Sequence, residues 1–566
     1  MQPRQNDLFT RWLPLGVIAL ATVAAYANSL QGGFLLDDGN CIYQNPSITR
    51  FWDSFTPPSS VNIFRRQLVN VSLAVNYAIS GLDVWSYHLL NMLIHLGAAL
   101  ALFAILRRML AGERTGRYAA AAPWLAMASA TLWAVHPLQT QAVTYIIQRC
   151  ESLLGLCLLA SVLLAMISMD RARPRPWQAG SVACCLLGVF VKEAIVLAPA
   201  LILFYDRWFV SDSLKEGLRR HRLLYAGHLA CLAVLAFNLG QYVSSDTTAQ
   251  NFSVLDYALS QPEVILHYLR LAVWPVGLCL DYQWPVSPVA RALPFAAVIL
   301  LCLAGTVLLI RRRSVYGFFL GWFWICLAPS SSFLPINDLA FEHRMYLPLA
   351  GLTTLACLAV HDLARLARQR TGVNLTIAAL ALWATAVAAC AMLTFARNMD
   401  YAQGELFMWR DVIAKRPENA KAQSLVGKGL AQLNRMDEAI PYYLTAIGLE
   451  PDNFFFRNDL ALIYEAGGDL DKAEEQLRAM IRLRPEVPLP YIRLSRMLFA
   501  QRRQAEGVAL LEEAVRANPK LISIRANLAQ YYYQTGQYAK AVPHLEAYLE
   551  ATPDNAAARR MLEQIR

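Results

Sequence analysis

WLPLGVIALATVAAYANSLQGGFLLDD, residues 12–38, decides the fold. Trp12 to Leu30 contains no charged side chain and is long enough to cross a bilayer as a helix. Arg4 and Arg11 precede it, so the positive-inside tendency places Met1 in the cytoplasm and delivers Asp37 and Asp38 to the opposite surface. An acidic doublet there is a candidate base or metal ligand facing the outer compartment. The run is too long for a signal-peptide core, and no convincing A-x-A site separates it from the Gly32-Gly33 turn, so the expectation is a retained first span.

The rest of the chain extends this pattern. Of 566 residues, 56% are hydrophobic and 16% charged, which excludes an ordinary soluble protein. Apolar stretches of crossing length fall at 12–30, 88–106, 119–136, 152–169, 177–191, 194–209, 222–242, 292–310, 315–333, 345–363 and 373–396. Eleven spans put whatever follows them on the outer side. The Arg-rich connections at 107–117, 171–175, 207–222, 311–313 and 365–370 then all fall inside, so topology accounts for the net charge of +10 and nucleic acid is not an expected partner. Residues 178–209 are read as a hairpin with Lys192 and Glu193 at its outer tip. Residues 261–279 are read as an interfacial helix with Trp274, Tyr282 and Trp284 at headgroup depth. The 11 cysteines lack CxxC spacing, which argues against a disulfide framework or a zinc site.

Beyond Phe395 the pattern changes. Pro417, Pro451, Pro485, Pro519 and Pro553 recur every 34 residues, the tetratricopeptide length. Small residues recur in phase with them: Gly427, Ala461, Ser495 and Ala529, then Ala439, Ala473, Gly507 and Ala541. The expected organisation is a membrane domain over 1–396 and, over 397–566, a helical solenoid of four repeats with a cap helix at Ala556–Arg566.

On the outward connections polar residues gather: Asp37, Asp38, Arg65 and Arg66; His136, Gln139, Arg149 and Glu151; Lys192 and Glu193; Asp338, Glu342, His343 and Arg344. A carboxylate at mid-membrane costs roughly 2.5–3.5 kcal/mol unless paired or solvated, so such groups need partners or a task. Single arginines and lysines at span ends can simply snorkel. Asp338 reads as part of an Asx turn with Asn337. His88 and His95, seven apart on one helix face, read as hydrogen-bonded inside the bundle.

At these residues the chain resembles the membrane glycosyltransferases of the GT-C type, most closely the transmembrane and tetratricopeptide-repeat protein O-mannosyltransferases and their bacterial relatives. The resemblance covers nearly the whole chain. It is carried by Phe34-Leu-Leu-Asp37-Asp38 with Asn45-Pro46, Tyr87-His-Leu-Leu-Asn91 with His95, His136-Pro137 with Thr140-Gln-Ala-Val143, and Arg149-Cys-Glu151. Lys192-Glu193, Tyr268-Leu-Arg270 with Asp281-Tyr282, and Glu342-His-Arg344-Met-Tyr346-Leu-Pro348 complete it. Two departures stand out: Phe64-Arg-Arg-Gln-Leu68 where relatives often have Tyr-Arg-Pro, and Gln139 and Gln141 in the His-Pro segment.

The resemblance implies an all-α polytopic bundle of GT-C type followed by an α-solenoid. It also implies inverting transfer of a sugar, a hexose such as mannose, from a polyprenyl-phosphate carrier to a hydroxyl of a protein outside the cytoplasm. Inversion needs one base, here Asp37 or Asp38, because neighbours in an extended loop point opposite ways. The leaving phosphate needs positive charge, expected from Arg344, Arg149, Lys192 and Arg270, with Glu342, Glu151, His136 and Glu193 completing donor recognition. No metal or other cofactor is expected; a pyrophosphate donor would instead favour Mg2+ or Mn2+ on Asp37 and Asp38. The setting expected is a multi-pass protein of a bacterial inner membrane with periplasmic repeats that capture the acceptor. The alternatives are a non-enzymatic scaffold and a transferase acting on polysaccharide or lipid.

Overall fold

The computed structural model describes residues 4–240, 252–332, 335–336 and 338–566, with backbone only for residues 4–11. Asn337, half of the expected Asx turn, lies outside the described residues, as do the side chains of Arg4 and Arg11. Two compact units emerge, Met1–Met408 and Trp409–Arg566, and among the described residues both are helical without strands.

The first unit opens with α1 (Arg4–Tyr26), α2 (Gln67–Ser80), α3 (Trp85–Ala111), α4 (Ala122–Ala134), α5 (Thr140–Thr144) and α6 (Arg149–Asp170). It continues with α7 (Arg175–Val189), α8 (Leu197–Tyr205), α9 (Leu214–Arg220), α10 (Arg222–Gly240) and α11 (Val254–Val273). Then come α12 (Val289–Arg311), α13 (Val315–Leu327), α14 (Pro348–Thr371) and α15 (Thr376–Ala402). Every stretch expected to cross carries a helix among the described residues. Seven helices among the described residues have the length and apolarity to span a bilayer, or nine if two bent pairs each count as one. Two of the eleven expected spans are shorter than a full crossing: α7 has 15 residues and α13 has 13. The chain is a multi-pass membrane protein. Helix α15 runs to Ala402, past the boundary expected at 396.

Buried polar side chains lock the bundle. Tyr346 is the best connected: its hydroxyl donates to His95 Nδ1 at 2.8 Å, and its carbonyl accepts from Trp133 Nε1 at 2.8 Å and Gln139 Nε2 at 3.4 Å. The second nitrogen of His95 donates to the Ala134 carbonyl at 2.9 Å, so the ring satisfies both its polar atoms between α3 and α4. Gly155 lets α6 come flush against the Tyr346 ring, where any β-carbon would collide with it. Asn398 accepts from Thr144 at 2.6 Å and donates to the Ala25 carbonyl at 2.9 Å, tying α15 to α5 and α1. His88 Nε2 lies 3.3 Å from the Gly32 carbonyl and also stays inside the bundle.

Helix α11 is amphipathic and is not among the spans, as its interfacial reading requires. Its following segment differs from expectation. Trp274 is exposed and Trp284 half-buried, but Tyr282 is buried, drawn inward because its hydroxyl donates to Glu342 Oε1 at 2.7 Å.

In the second unit, four helix pairs, Ala420–Gln432 with Met436–Leu449 through Ile522–Gln534 with Tyr538–Ala551, precede a last helix at Ala556–Ile565. The in-phase small residues are where helices touch: a β-carbon on Gly427 would press on Tyr443 at 2.7 Å, and one on Gly507 on Phe499 at 2.5 Å. A second periodicity becomes visible here. The residue six places after the repeat proline folds back to its carbonyl, Gln423 to Pro417 at 3.1 Å, Arg457 to Pro451 at 3.2 Å, Arg525 to Pro519 at 3.1 Å and Arg559 to Pro553. Tyr491 interrupts the series. Asn419, Asn453 and Asn555, two places after their prolines, cap the helices that follow.

Tyr346→Phe removes the one hydrogen-bond partner that His95 Nδ1 has among the described residues without changing shape. A buried nitrogen left unpaired costs about 1–3 kcal/mol, so the detergent-solubilised protein should melt several degrees lower, while Tyr401→Phe, which removes a buried hydroxyl that has no hydrogen-bond partner among the described residues, should melt like wild type.

Candidate functional site

Asp37 and Asp38 part company in the structure. The turn Leu35–Asp38 carries Leu36 at φ +47°, a left-handed conformation that a leucine adopts only when its surroundings hold it there. Asp38 does the holding. It is fully buried, with one carboxylate oxygen accepting the Leu35 N–H at 2.9 Å and the other the Ile147 N–H at 2.9 Å. Burial pushes its carboxyl up to about 8, helped by Asp37, while those two N–H groups and Arg149 pull the other way. The same clamp turns Asp37 outward. Asp37 is exposed, its Oδ1 accepts from Asn62 Nδ2 at 3.2 Å, and its own N–H donates to the Tyr145 hydroxyl at 3.0 Å.

Asn62 leads into a cavity of about 360 Å³ that it lines with Phe64, Arg65, Arg66, Lys192 and Glu193. Arg65 lies over the Phe64 ring at 4.8 Å. Arg66 donates to Cys150 Sγ at 3.5 Å and sits within electrostatic reach of Glu193 and Glu151. Lys192 is half-buried at the break after α7, paired with Glu151, and Glu193 beside it is exposed. His343 reaches the same cluster: its Nε2 lies 3.7 Å from Glu151 Oε1, and Gln141 Oε1 accepts both its N–H at 3.0 Å and its Nδ1–H at 3.1 Å. Burial, reinforced by Lys192, Arg344 and Arg66, holds His343 well below the ordinary histidine range. The ring is therefore neutral, with its proton on Nδ1, where Gln141 accepts it.

Four expected donor-binding residues are hydrogen-bonded within the protein. Arg149 is fully buried and spends its guanidinium on Asn91, on the Ser72 hydroxyl at 3.0 Å and on the Tyr87 carbonyl at 2.9 Å. Arg344 donates to the carbonyls of Ser330, Leu339 and Asp338 and to the Tyr257 hydroxyl, which organises the loop before it. Glu342 holds the segment after α11 by accepting from the Cys279 N–H at 2.6 Å and from Tyr282. His136 caps a short turn, with Nδ1 accepting the Leu138 N–H and Nε2 donating to the Ala272 carbonyl. Arg270 is exposed on α11 and does not line the cavity. Among the residues the sequence placed in the site, Asp37, Glu151, Lys192 and Glu193 converge, with Arg65 and Arg66 as the basic partners and His343 beside them.

The doublet does not offer itself as a metal pair. Both oxygens of Asp38 are bound to backbone N–H groups in the interior while Asp37 faces out, and no group of three metal-ligating side chains occurs among the described residues. Asn62 left no signal in the sequence and Gln141 stood out only as a departure in the His-Pro segment, because an amide matters only through the partner the fold gives it.

Tetratricopeptide repeat models match residues 408–454, 457–522 and 498–565. The protein O-mannosyl-transferase TMTC3 of Homo sapiens is 23% identical over 94% of this chain and 63% of its own length, and Tmtc3 of Drosophila melanogaster 24% identical over 92% and 65%. The chain is similar to the protein O-mannosyl-transferases. The protein O-mannosyl-transferase TMTC2 of Homo sapiens reaches 31% identity, over 34% of this chain and 24% of that protein. The chain spans less than two thirds of the length of the TMTC3 proteins it matches. Among solved structures, ArnT from Cupriavidus metallidurans in the apo state aligns with a TM-score of 0.39 and 15% identity, covering 77% of this chain and 74% of that one.

A buried carboxyl that titrates near 8 binds a proton in the folded protein over a range where the unfolded chain, titrating near 4, has lost it. Its contribution to stability is therefore complete below about pH 4 and lost as pH rises toward 8. The apparent melting temperature of wild type should fall across that window, and Asp38→Asn, which cannot titrate, should flatten the fall.

Proposed function

We propose that this protein transfers a sugar from a polyprenyl-phosphate carrier to a hydroxyl of a protein acceptor, with Asp37 as base. One observation carries the reading: an exposed carboxylate, oriented by Asn62, stands at the rim of a cavity whose walls carry Arg65, Arg66 and Lys192. The names of the relatives supply the class of reaction, protein O-mannosyl transfer.

The chemistry fits the residue types. The acceptor oxygen attacks the anomeric carbon as the bond to the carrier's phosphate oxygen breaks, and configuration inverts. Asp37 takes the hydroxyl proton. Negative charge grows on the departing phosphate and is met by Arg65 and Arg66, whose forked guanidinium groups suit phosphate oxygens, and by Lys192. Glu151 positions the lysine, so the ammonium is presented rather than left to swing. With these cations in place a monophosphate leaving group needs no divalent ion. The reading moves the base from the doublet as a whole to its first member. It also moves the phosphate from Arg149, Arg344 and Arg270 to the cations of the first outer loop and the α7 break. The acceptor docks on the tetratricopeptide repeats, whose solenoids present extended surfaces to peptides. A bacterial inner membrane, with the acidic doublet and the repeats on the periplasmic side, is the matching location.

Radiolabelled polyprenyl-phosphate mannose added to membranes containing the protein tests this. Label should enter protein with wild type and fall about 10²-fold or more with Asp37→Asn, the scale of a lost general base. Arg66→Gln should cost about 10²-fold with little change in melting. Undiminished transfer by Asp37→Asn would remove the assigned base, and no labelled protein with any variant would favour a scaffold built on the repeats. Labelled lipid or polysaccharide in place of protein would move the acceptor to that class.

A further inference from the structure

At the other end of the same helices lies a larger space. Leu13 on α1, Trp124 and Leu132 on α4, Val360 on α14, and Leu380 and Trp383 on α15 enclose an apolar groove of about 810 Å³. The candidate site lies beyond the end of α4 and before the start of α14, since Gln141 follows the first and the His343 it holds precedes the second. The groove is walled instead by the middle of α14, from Ala356 to Ala364, and the first three turns of α15, and it runs along α4 from Leu132 to Ala121 just before that helix's start. All of these belong to spans or to a bent pair of crossing length, so the groove and the transfer cavity belong to opposite membrane faces.

The charge around the groove is one-sided. His361 and Ala364 line it, and Arg365 and Arg368, four residues further along α14 from each, continue that face by one turn and are exposed. Three carboxylates near this end of the helices are already committed: Asp170 to Arg108, Asp212 to Arg114, and Asp362 to Arg117 with the Tyr118 and Tyr316 hydroxyls. Among the described residues no carboxylate pairs with Arg365 or Arg368. An apolar slot opening to lipid under two uncompensated guanidinium groups has the chemistry of an acyl chain joined to a phosphate.

The geometry points to a binding site for one anionic phospholipid of the leaflet opposite the transfer cavity, its acyl chain in the groove and its phosphate on Arg365 and Arg368. Basic pockets between membrane helices recognise lipid headgroups in this way, and a slot of this size falls within the range of ligand cavities. The inference is independent of the transferase reading, because no residue of the site above takes part.

The full-length protein, delipidated in detergent, should be given phosphatidylglycerol or phosphatidylcholine and weighed by native mass spectrometry. Wild type should retain one phosphatidylglycerol in preference to phosphatidylcholine. R365Q with R368Q should reduce that preference by about fivefold for each arginine, whereas R365K with R368K should keep it. Ala386→Trp, which fills the groove, should abolish retention while Arg365 and Arg368 remain. Equal retention of the two lipids by wild type would overturn the proposal. So would a preference that survives either the double glutamine variant or the filled groove. Loss in both the glutamine and the lysine variants would also overturn it, since phosphate recognition by charge is what the lysines preserve.

Discussion

The outer face of the membrane unit depends on a carboxylate that never meets solvent. Asp38 binds the N–H of Leu35 within its own turn and the N–H of Ile147 more than a hundred residues later. One side chain therefore does two things: it holds Leu36 in a backbone conformation leucine disfavours, and it fastens the first outer loop to the entry of α6. The exposed orientation of Asp37 follows from that clamp. The clamp ends where the polar cluster begins, for α6 starts with Arg149, Cys150 and Glu151, and Glu151 in turn holds Lys192 and faces His343.

Much of this was legible in the sequence because membrane helices and repeats are written in composition and period. The apolar runs located the long helices of the bundle but not the short α2, α5 and α9, and the 34-residue recurrence of proline with in-phase small residues located the solenoid. Length was less faithful. Runs that read as full spans at 177–191 and 315–333 form helices of 15 and 13 residues, because apolarity continues through residues such as Phe190 and Ala328 that the backbone has already released from the helix. The candidate site was half legible. Charged residues stranded among apolar ones announced that Asp37, Asp38, Arg149, Glu151, Lys192, Glu342 and Arg344 had work to do. Which work depended on partners that only the fold supplies.

Arg149 and Arg344 show the difference. In sequence they are indistinguishable from Arg65 and Arg66 as cations near an outer surface. In the fold each is surrounded by carbonyls and side-chain oxygens that consume its donors, so they brace the loops that carry the site. Tyr346, quoted in a motif for its place beside Arg344, joins α3, α4 and α6 through His95, Trp133 and Gly155. A chain this apolar has few polar groups to spare, and most of those inside it act as fasteners. The few left facing the cavity are the ones available for chemistry.

The measurement that bears most directly on this account is a cryo-electron microscopy map of the protein with polyprenyl phosphate bound. The account predicts the phosphate among Arg65, Arg66 and Lys192, with the Asp37 carboxylate facing it across the cavity mouth and the Asp38 carboxylate still on the N–H groups of Leu35 and Ile147. A phosphate seated instead on Arg344 or Arg149, with Asp38 swung out to meet it, would contradict it.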